Sequence, residues 1–289
     1  MPAFVIHIAD HAGTCYGVER ALRLVNECAA FKHNKPVYTL GPLIHNPRVV
    51  EELKNRQVQV IDSVEEAEPG STVVIRSHGV KPEVYDDAAR CGLHVVDATC
   101  PHVKVAHEAA KSFCEQNLQV IVVGEKHHPE VEAIFARAGA QAVIVSSPED
   151  LEQVKLKNKI GIVVQTTQSQ ELLASIVCAV LPKTKELTVK NTICSATSER
   201  QQAVQQLARA CDVMIVIGGR NSGNTRRLAQ ICAEFCEHTY HIESSHEILP
   251  EWLSSATNVG IAAGASTPQS HIQEAVSALI ELGGSYPEQ

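Results

Sequence analysis

The stretch His94-Val95-Val96-Asp97-Ala98-Thr99-Cys100-Pro101 sets a short β-branched run before a cysteine, and helix-patterned sequence follows at once in His102-Val103-Lys104-Val105-Ala106-His107. Two other stretches repeat the design. Phe4-Val5-Ile6-His7-Ile8 leads to Cys15 and then Gly17-Val18-Glu19-Arg20-Ala21-Leu22, and Leu187-Thr188-Val189 leads to Cys194 and then Ser198-Glu199-Arg200-Gln201-Gln202-Ala203-Val204. A thiol at a helix start feels the positive end of the helix dipole and unpaired backbone donors, which favours its thiolate. Thiolates bind soft metals. The three cysteines are distant in sequence, so their sulfurs meet only if three similar βα units fold about a common centre.

Strand and helix patterns alternate through the rest of the chain, which predicts an α/β protein with mostly parallel sheets. Further strand-like runs are Val37-Tyr38-Thr39-Leu40, Val73-Val74-Ile75, Val120-Ile121-Val122-Val123, Ala142-Val143-Ile144-Val145, Ile160-Gly161-Ile162-Val163-Val164, Val213-Met214-Ile215-Val216-Ile217 and Val259-Gly260-Ile261-Ala262-Ala263. No long linker separates them, so the repeat itself sets the boundaries. It gives lobes at 1–98, 99–192 and 193–289, with the N-terminal strand a candidate to pack in the third.

Ligands of parallel sheets sit beyond the carboxyl ends of the strands. The loops there carry His45, His78, His128 with Glu130, Gln165-Thr166-Thr167, Asn221-Ser222-Gly223-Asn224 and Ser266. In four of them a proline follows a His or Ser, where it can open a helix without wasting a hydrogen bond. Hydroxyls, imidazoles, amides and free N–H groups at helix starts make a phosphate site without many cations. That fits a formal charge of −8, which argues against a broad nucleic-acid-binding surface.

The apolar runs are strand-sized, far from the roughly 20 residues of a membrane span. Met1-Pro2-Ala3 runs straight into a strand, so no signal peptide is expected. Ten cysteines without close CxxC pairs predict a reducing, cytoplasmic setting. Seven of them fit packing positions or element ends: Cys28, Cys91, Cys114, Cys178, Cys211 opening a strand, and Cys232 with Cys236 in a stripe with Leu228, Ile231 and Phe235. Zinc on Cys232/Cys236 with His238 and His241 is the alternative there, but apolar spacing explains both sulfurs. Cys15, Cys100 and Cys194 suit either a zinc with a fourth ligand or an iron–sulfur cluster with one iron left open.

Together, Gly13-Thr14-Cys15-Tyr16-Gly17-Val18, Ser77-His78-Gly79-Val80, Asp97-Ala98-Thr99-Cys100-Pro101, His128-Pro129-Glu130-Val131-Glu132, Gln165-Thr166-Thr167, Asn221-Ser222-Gly223-Asn224 and Gly264-Ala265-Ser266 resemble the LytB family of 4-hydroxy-3-methylbut-2-enyl diphosphate reductases. The resemblance runs over nearly the whole chain. It implies three α/β lobes arranged as a trefoil around one [4Fe–4S] cluster held by Cys15, Cys100 and Cys194. It also implies a diphosphate pocket of His45, His78, His128, Ser222, Gly223, Asn224 and Ser266, with Thr166 orienting the substrate hydroxyl and Glu130 delivering protons. The implied reaction is two-electron reductive dehydroxylation to isopentenyl and dimethylallyl diphosphate in the non-mevalonate isoprenoid pathway. Electrons would come from a ferredoxin- or flavodoxin-type carrier, since no dinucleotide fingerprint follows any strand.

Two departures from the family pattern stand out. Glu125, Lys126, His127 and Ala133 replace smaller or glycine residues around the His128 loop, and the chain ends soon after Leu282-Gly283-Gly284, without a longer tail. Rival readings are an aconitase-like hydro-lyase, which needs no external electrons, and a cluster-bearing diphosphate sensor without turnover.

Overall fold

The computed structural model describes residues 4–30 and 35–286. The terminal residues on which the expectations of a leaderless start and a missing tail partly rest, 1–3 and 287–289, lie outside the described residues. In chain order the elements are β1 (Phe4–Ile8), α1 (Tyr16–Ala30), β2 (Val37–Leu40), α2 (Pro47–Asn55), β3 (Val58–Ile61), β4 (Thr72–Ile75), α3 (Glu83–Arg90), β5 (His94–Asp97), α4 (Pro101–Glu115), β6 (Gln119–Val123) and α5 (Pro129–Phe135). They continue with β7 (Val143–Val145), β8 (Lys159–Val164), α6 (Gln170–Val180), β9 (Glu186–Lys190), α7 (Ser195–Ala208), β10 (Val213–Ile217), α8 (Gly223–Phe235), β11 (His238–Ile242), β12 (Asn258–Ala263), α9 (Gln269–Glu281) and β13 (Gly284–Ser285).

The strands form three small parallel sheets ordered β3-β2-β4-β5, β7-β6-β8-β9 and β11-β10-β12-β1-β13. Each begins second strand, first, third. The fourth place is taken by β5, β9 and, in the last sheet, the N-terminal β1. Cys100, Cys194 and Cys15 are thus each the residue that carries the fourth strand of a sheet into a helix: α4, α7 and α1.

The chain divides into two compact units, one holding the described residues up to Tyr16, His45–Arg48 and those from Ser195 onward, the other Gly17–Ile44 and Val49–Cys194. Sheet cores follow the residue types. β6 is apolar and buried along its length because helices cover both faces: Phe113, Val131 and Ile134 pack on Val120, Val122 and Val163, while Leu173, Ile176 and Val180 pack on Ile121, Val123 and Ile162. No helix among the described residues is long and apolar enough to cross a membrane.

Several expectations need correction. β3, β11 and β13 lie at sheet edges, and β3 and β11 carry polar residues at positions that an interior strand would bury; their apolar signal is correspondingly weak. β10 begins at Val213, two residues after Cys211. Cys178 is exposed, so it is no core residue. Phe235 is 37% exposed and Cys236 caps the end of α8, while Leu228, Ile231, Cys232 and Cys236 do share a core, outside which Phe235 lies. Pro47 and Pro129 open helices as first residues, whereas Pro82 and Pro268 occupy the preceding cap position.

A Cβ added at Gly161, inside β8, would overlap the Phe113 ring. Gly161→Ala is therefore expected to lower stability by about 1–3 kcal/mol, read as a fall in the urea midpoint at unchanged slope.

Candidate functional site

The larger unit holds a hydrogen-bonded acid at the start of α5. Glu130 is 1% exposed. Its Oε1 accepts the Thr166 backbone N–H at 2.6 Å, and its Oε2 accepts the Thr166 hydroxyl at 2.9 Å. Burial pushes the Glu130 carboxyl up to about 7, against the pull of both Thr166 donors toward the ionised form. His128 caps α5, its Nδ1 accepting the Glu130 N–H at 3.1 Å. In the neutral ring this places the proton on Nε2, so His128 presents a donor. The His78 ring meets it edge-on, with centroids 5.4 Å apart. Four of the expected residues, His78, His128, Glu130 and Thr166, thus gather in one unit.

Neighbouring residues that the sequence reading gave no role hold this group. Gln165 accepts the Glu125 N–H through Oε1 at 3.0 Å and donates to the Thr167 hydroxyl at 3.1 Å, tying the loop after β6 to that after β8. Gly124 leaves room for it, since a Cβ there would lie 2.8 Å from the Gln165 Oε1. Gly79 has φ +74, and an added Cβ would lie 2.6 Å from the Cε1 of His107. Burial first, and then the Arg137 charge, push His107 down to about 3, which keeps a neutral ring beneath the His78 turn. Of the unusual residues before His128, Lys126 pairs with Asp150 at 3.5 Å and His127 adopts φ +66.

The smaller unit holds the other residues expected at the diphosphate. Ser222 caps α8, its Oγ accepting the Thr225 N–H at 3.2 Å, so Gly223 and Asn224 form the first turn of a helix able to take an anion. Asn224 is 5% exposed, and neither its Oδ1 nor its Nδ2 has a hydrogen-bond partner. A buried amide left so costs stability unless a ligand completes it. Ser266 donates to the His45 carbonyl at 3.3 Å, and Asn46 Nδ2 donates to the Ser266 carbonyl at 2.9 Å.

The cysteines are held alike. Cys100 N–H donates to Ser77 O at 2.9 Å, Cys194 N–H to Thr166 O at 3.0 Å, and Cys15 N–H to Ala265 O at 3.2 Å. Each acceptor lies in the loop after the third strand of its sheet, at or next to His78, Thr166 or Ser266. Two of the turns share a further brace: Asp97 Oδ1 accepts the Thr99 N–H at 2.9 Å and Asn191 Oδ1 accepts the Ile193 N–H at 3.1 Å. An Asx residue three before the cysteine was the available sequence signal. All three side chains are partly exposed and none is in a disulfide, so the donor set suits a thiolate-bound group.

The family model described as LytB protein matches residues 6–280. The chain is 46% identical over 269 residues to the 4-hydroxy-3-methylbut-2-enyl diphosphate reductase of Citrifermentans bemidjiense, covering 93% of this chain and 94% of the relative. It is 46% identical over 280 residues to the protein of that name from Aquifex aeolicus, covering 96% of each. Among solved structures, an (E)-4-hydroxy-3-methyl-but-2-enyl diphosphate reductase described as the terminal enzyme of the non-mevalonate pathway matches with TM-score 0.71 and 45% identity, over 96% of this chain and all of that one. The E-1-hydroxy-2-methyl-but-2-enyl-4-diphosphate reductase from Plasmodium falciparum matches with TM-score 0.92 and 26% identity, over 100% and 94%.

Two outcomes follow from the buried polar groups. Because Glu130 is raised from 4.5 to about 7, its bound proton stabilises the fold fully below about 4.5, and that contribution is lost as pH rises through about 7. Urea unfolding across this window is expected to show the parent losing about 3 kcal/mol relative to Glu130→Gln, which does not titrate. Asn224→Leu is expected to stabilise the ligand-free protein by about 1 kcal/mol while weakening pyrophosphate binding, by calorimetry, at least about tenfold.

Proposed function

The chain belongs to the LytB protein family, and on that premise we infer that it is a 4-hydroxy-3-methylbut-2-enyl diphosphate reductase. In this reading it is an oxidoreductase of the cytoplasm acting on a small allylic diphosphate. Two electrons and two protons replace the allylic C–O bond by C–H and release water, giving isopentenyl or dimethylallyl diphosphate. The observation that carries the reading is the buried Glu130–Thr166 pair, an acid poised near neutrality with a hydroxyl as its partner.

When Glu130 is ionised, Thr166 donates to it and its own oxygen can accept from the substrate hydroxyl. When Glu130 is protonated the bond reverses, and Thr166 can donate to the oxygen that departs as water. A group titrating near the working pH serves both states. In this reading His78, His128, His45, Ser222, the Gly223 N–H, Asn224 and Ser266 supply hydrogen bonds to the diphosphate. Neutral donors hold the anion and fix the carbon chain, so orientation lowers the barrier.

Cys15, Cys100 and Cys194 would hold one [4Fe–4S] cluster per chain, supported by the equivalent place of each cysteine in its sheet and its shared backbone anchor. Such a cluster supplies the electrons and a Lewis-acidic iron. A ferredoxin- or flavodoxin-type protein would reload it.

Anaerobically purified protein is expected to be brown, with about four iron and four sulfide per chain. Glu130→Gln should cut kcat at least about 100-fold with substrate affinity, measured by calorimetry, nearly unchanged. A colourless protein holding one zinc, or product formed without consumption of electrons, would sink the reading.

A further inference from the structure

The three cysteine turns differ in one respect. Residues 98–100 and 191–194 join strand to helix directly, but residues 9–15 form a longer connection between β1 and α1. Ala12 stands where the other turns have Asp97 and Asn191, so the equivalent Asx brace is missing here. Two of its residues take left-handed conformations, His11 at φ 61 and Gly13 at φ 106. A non-glycine residue in that region persists only where its surroundings hold it.

What holds it is a guanidinium. Arg200, on the second turn of α7, is 3% exposed. Its Nε donates to His11 O at 2.9 Å and its Nη2 to Gly13 O at 2.9 Å, while Nη1 returns to Ala196 O in its own helix at 3.0 Å. One planar group thus reads the carbonyls of both left-handed residues, a bridge that the rigid fork of arginine fixes in direction and the rotatable ammonium of lysine does not. A looser parallel exists at Cys100, where Arg20 on α1 reaches Asp97 O at 3.3 Å and Thr99 O at 3.4 Å.

We propose that Arg200 is a positioning residue for Cys15: its clamp on His11 and Gly13 replaces the missing Asx brace and fixes where the Cys15 sulfur is presented. Arg200 acts through the turn and has no part in proton transfer.

The proposal rests on Cys15 being a ligand, so the test uses Arg200→Met, Arg200→Lys and Cys15→Ser beside the parent, all as full-length protein prepared anaerobically. Iron loss to a ferrous chelator is followed first. Site-resolved alkylation of each cysteine by iodoacetamide is then followed by mass spectrometry in the iron-free protein. Both Arg200 variants are expected to release iron, and to alkylate at Cys15, at least about threefold faster than the parent, with Cys100 and Cys194 at parental rates. Equal acceleration at all three thiols would make Arg200 a general stabiliser and overturn the proposal. Parental iron retention in both Arg200 variants while Cys15→Ser loses iron would overturn it and leave the ligand assignment standing. Full iron retention by Cys15→Ser would defeat the assignment and the proposal together. Should Arg200→Met fail to fold, Arg200→Lys carries the same three-thiol comparison.

Discussion

The structure depends on a backbone hydrogen bond made three times beyond the end of a parallel ladder. In each sheet the third and fourth strands pair in register, as Ile75 with Asp97, and the chain of the fourth strand then continues until its cysteine N–H meets a carbonyl in the loop after the third. Parallel pairing alone sets strand direction but not where the chain goes once the strand ends. The added bond does so, because it locks the cysteine turn to the loop that carries His78, Thr166 or Ser266. In each sheet one backbone hydrogen bond therefore ties the ligand candidate to the loop that carries the candidate substrate residue. This also explains why β1 joins β12 despite standing at the opposite end of the sequence. Cys15 reaches an equivalent position only from the fourth place of the third sheet.

Much of this was legible in the sequence, for identifiable reasons. Interior strands such as Val120–Val123 and Val213–Ile217 announce themselves because helices bury both faces and the apolar run is unbroken. Polar residues that follow such runs can be assigned to the ligand-bearing end without knowing any contact. His78, His128, Glu130 and Thr166 were found that way, and the structure joins them. The edge strands β3, β11 and β13 were not legible: His238-Thr239-Tyr240-His241, for one, buries little and so carries no apolar signature. Nor were the supports. Gln165 accepts a backbone N–H and Arg200 donates to backbone carbonyls of residues distant in sequence, and a side chain that bonds the backbone leaves no pattern in the residues it serves.

The site's polarity follows a single electrostatic logic. An acidic chain that is to hold an anion gains little from surface cations, whose fields water screens, and more from neutral donors fixed in place. Ser222 at the head of α8, the Nε2–H of His128 and the Asn224 amide are such donors, and none adds charge. Desolvation raises the cost of leaving them unmet and the value of meeting them. Burial likewise lifts Glu130, so its own surroundings keep a proton available at neutral pH. Were Glu130 exposed it would be a constant negative charge at neutral pH and a poor acid. Buried against Thr166 it keeps its proton up to about neutral pH and can release it there, which is what the proposed function asks of it.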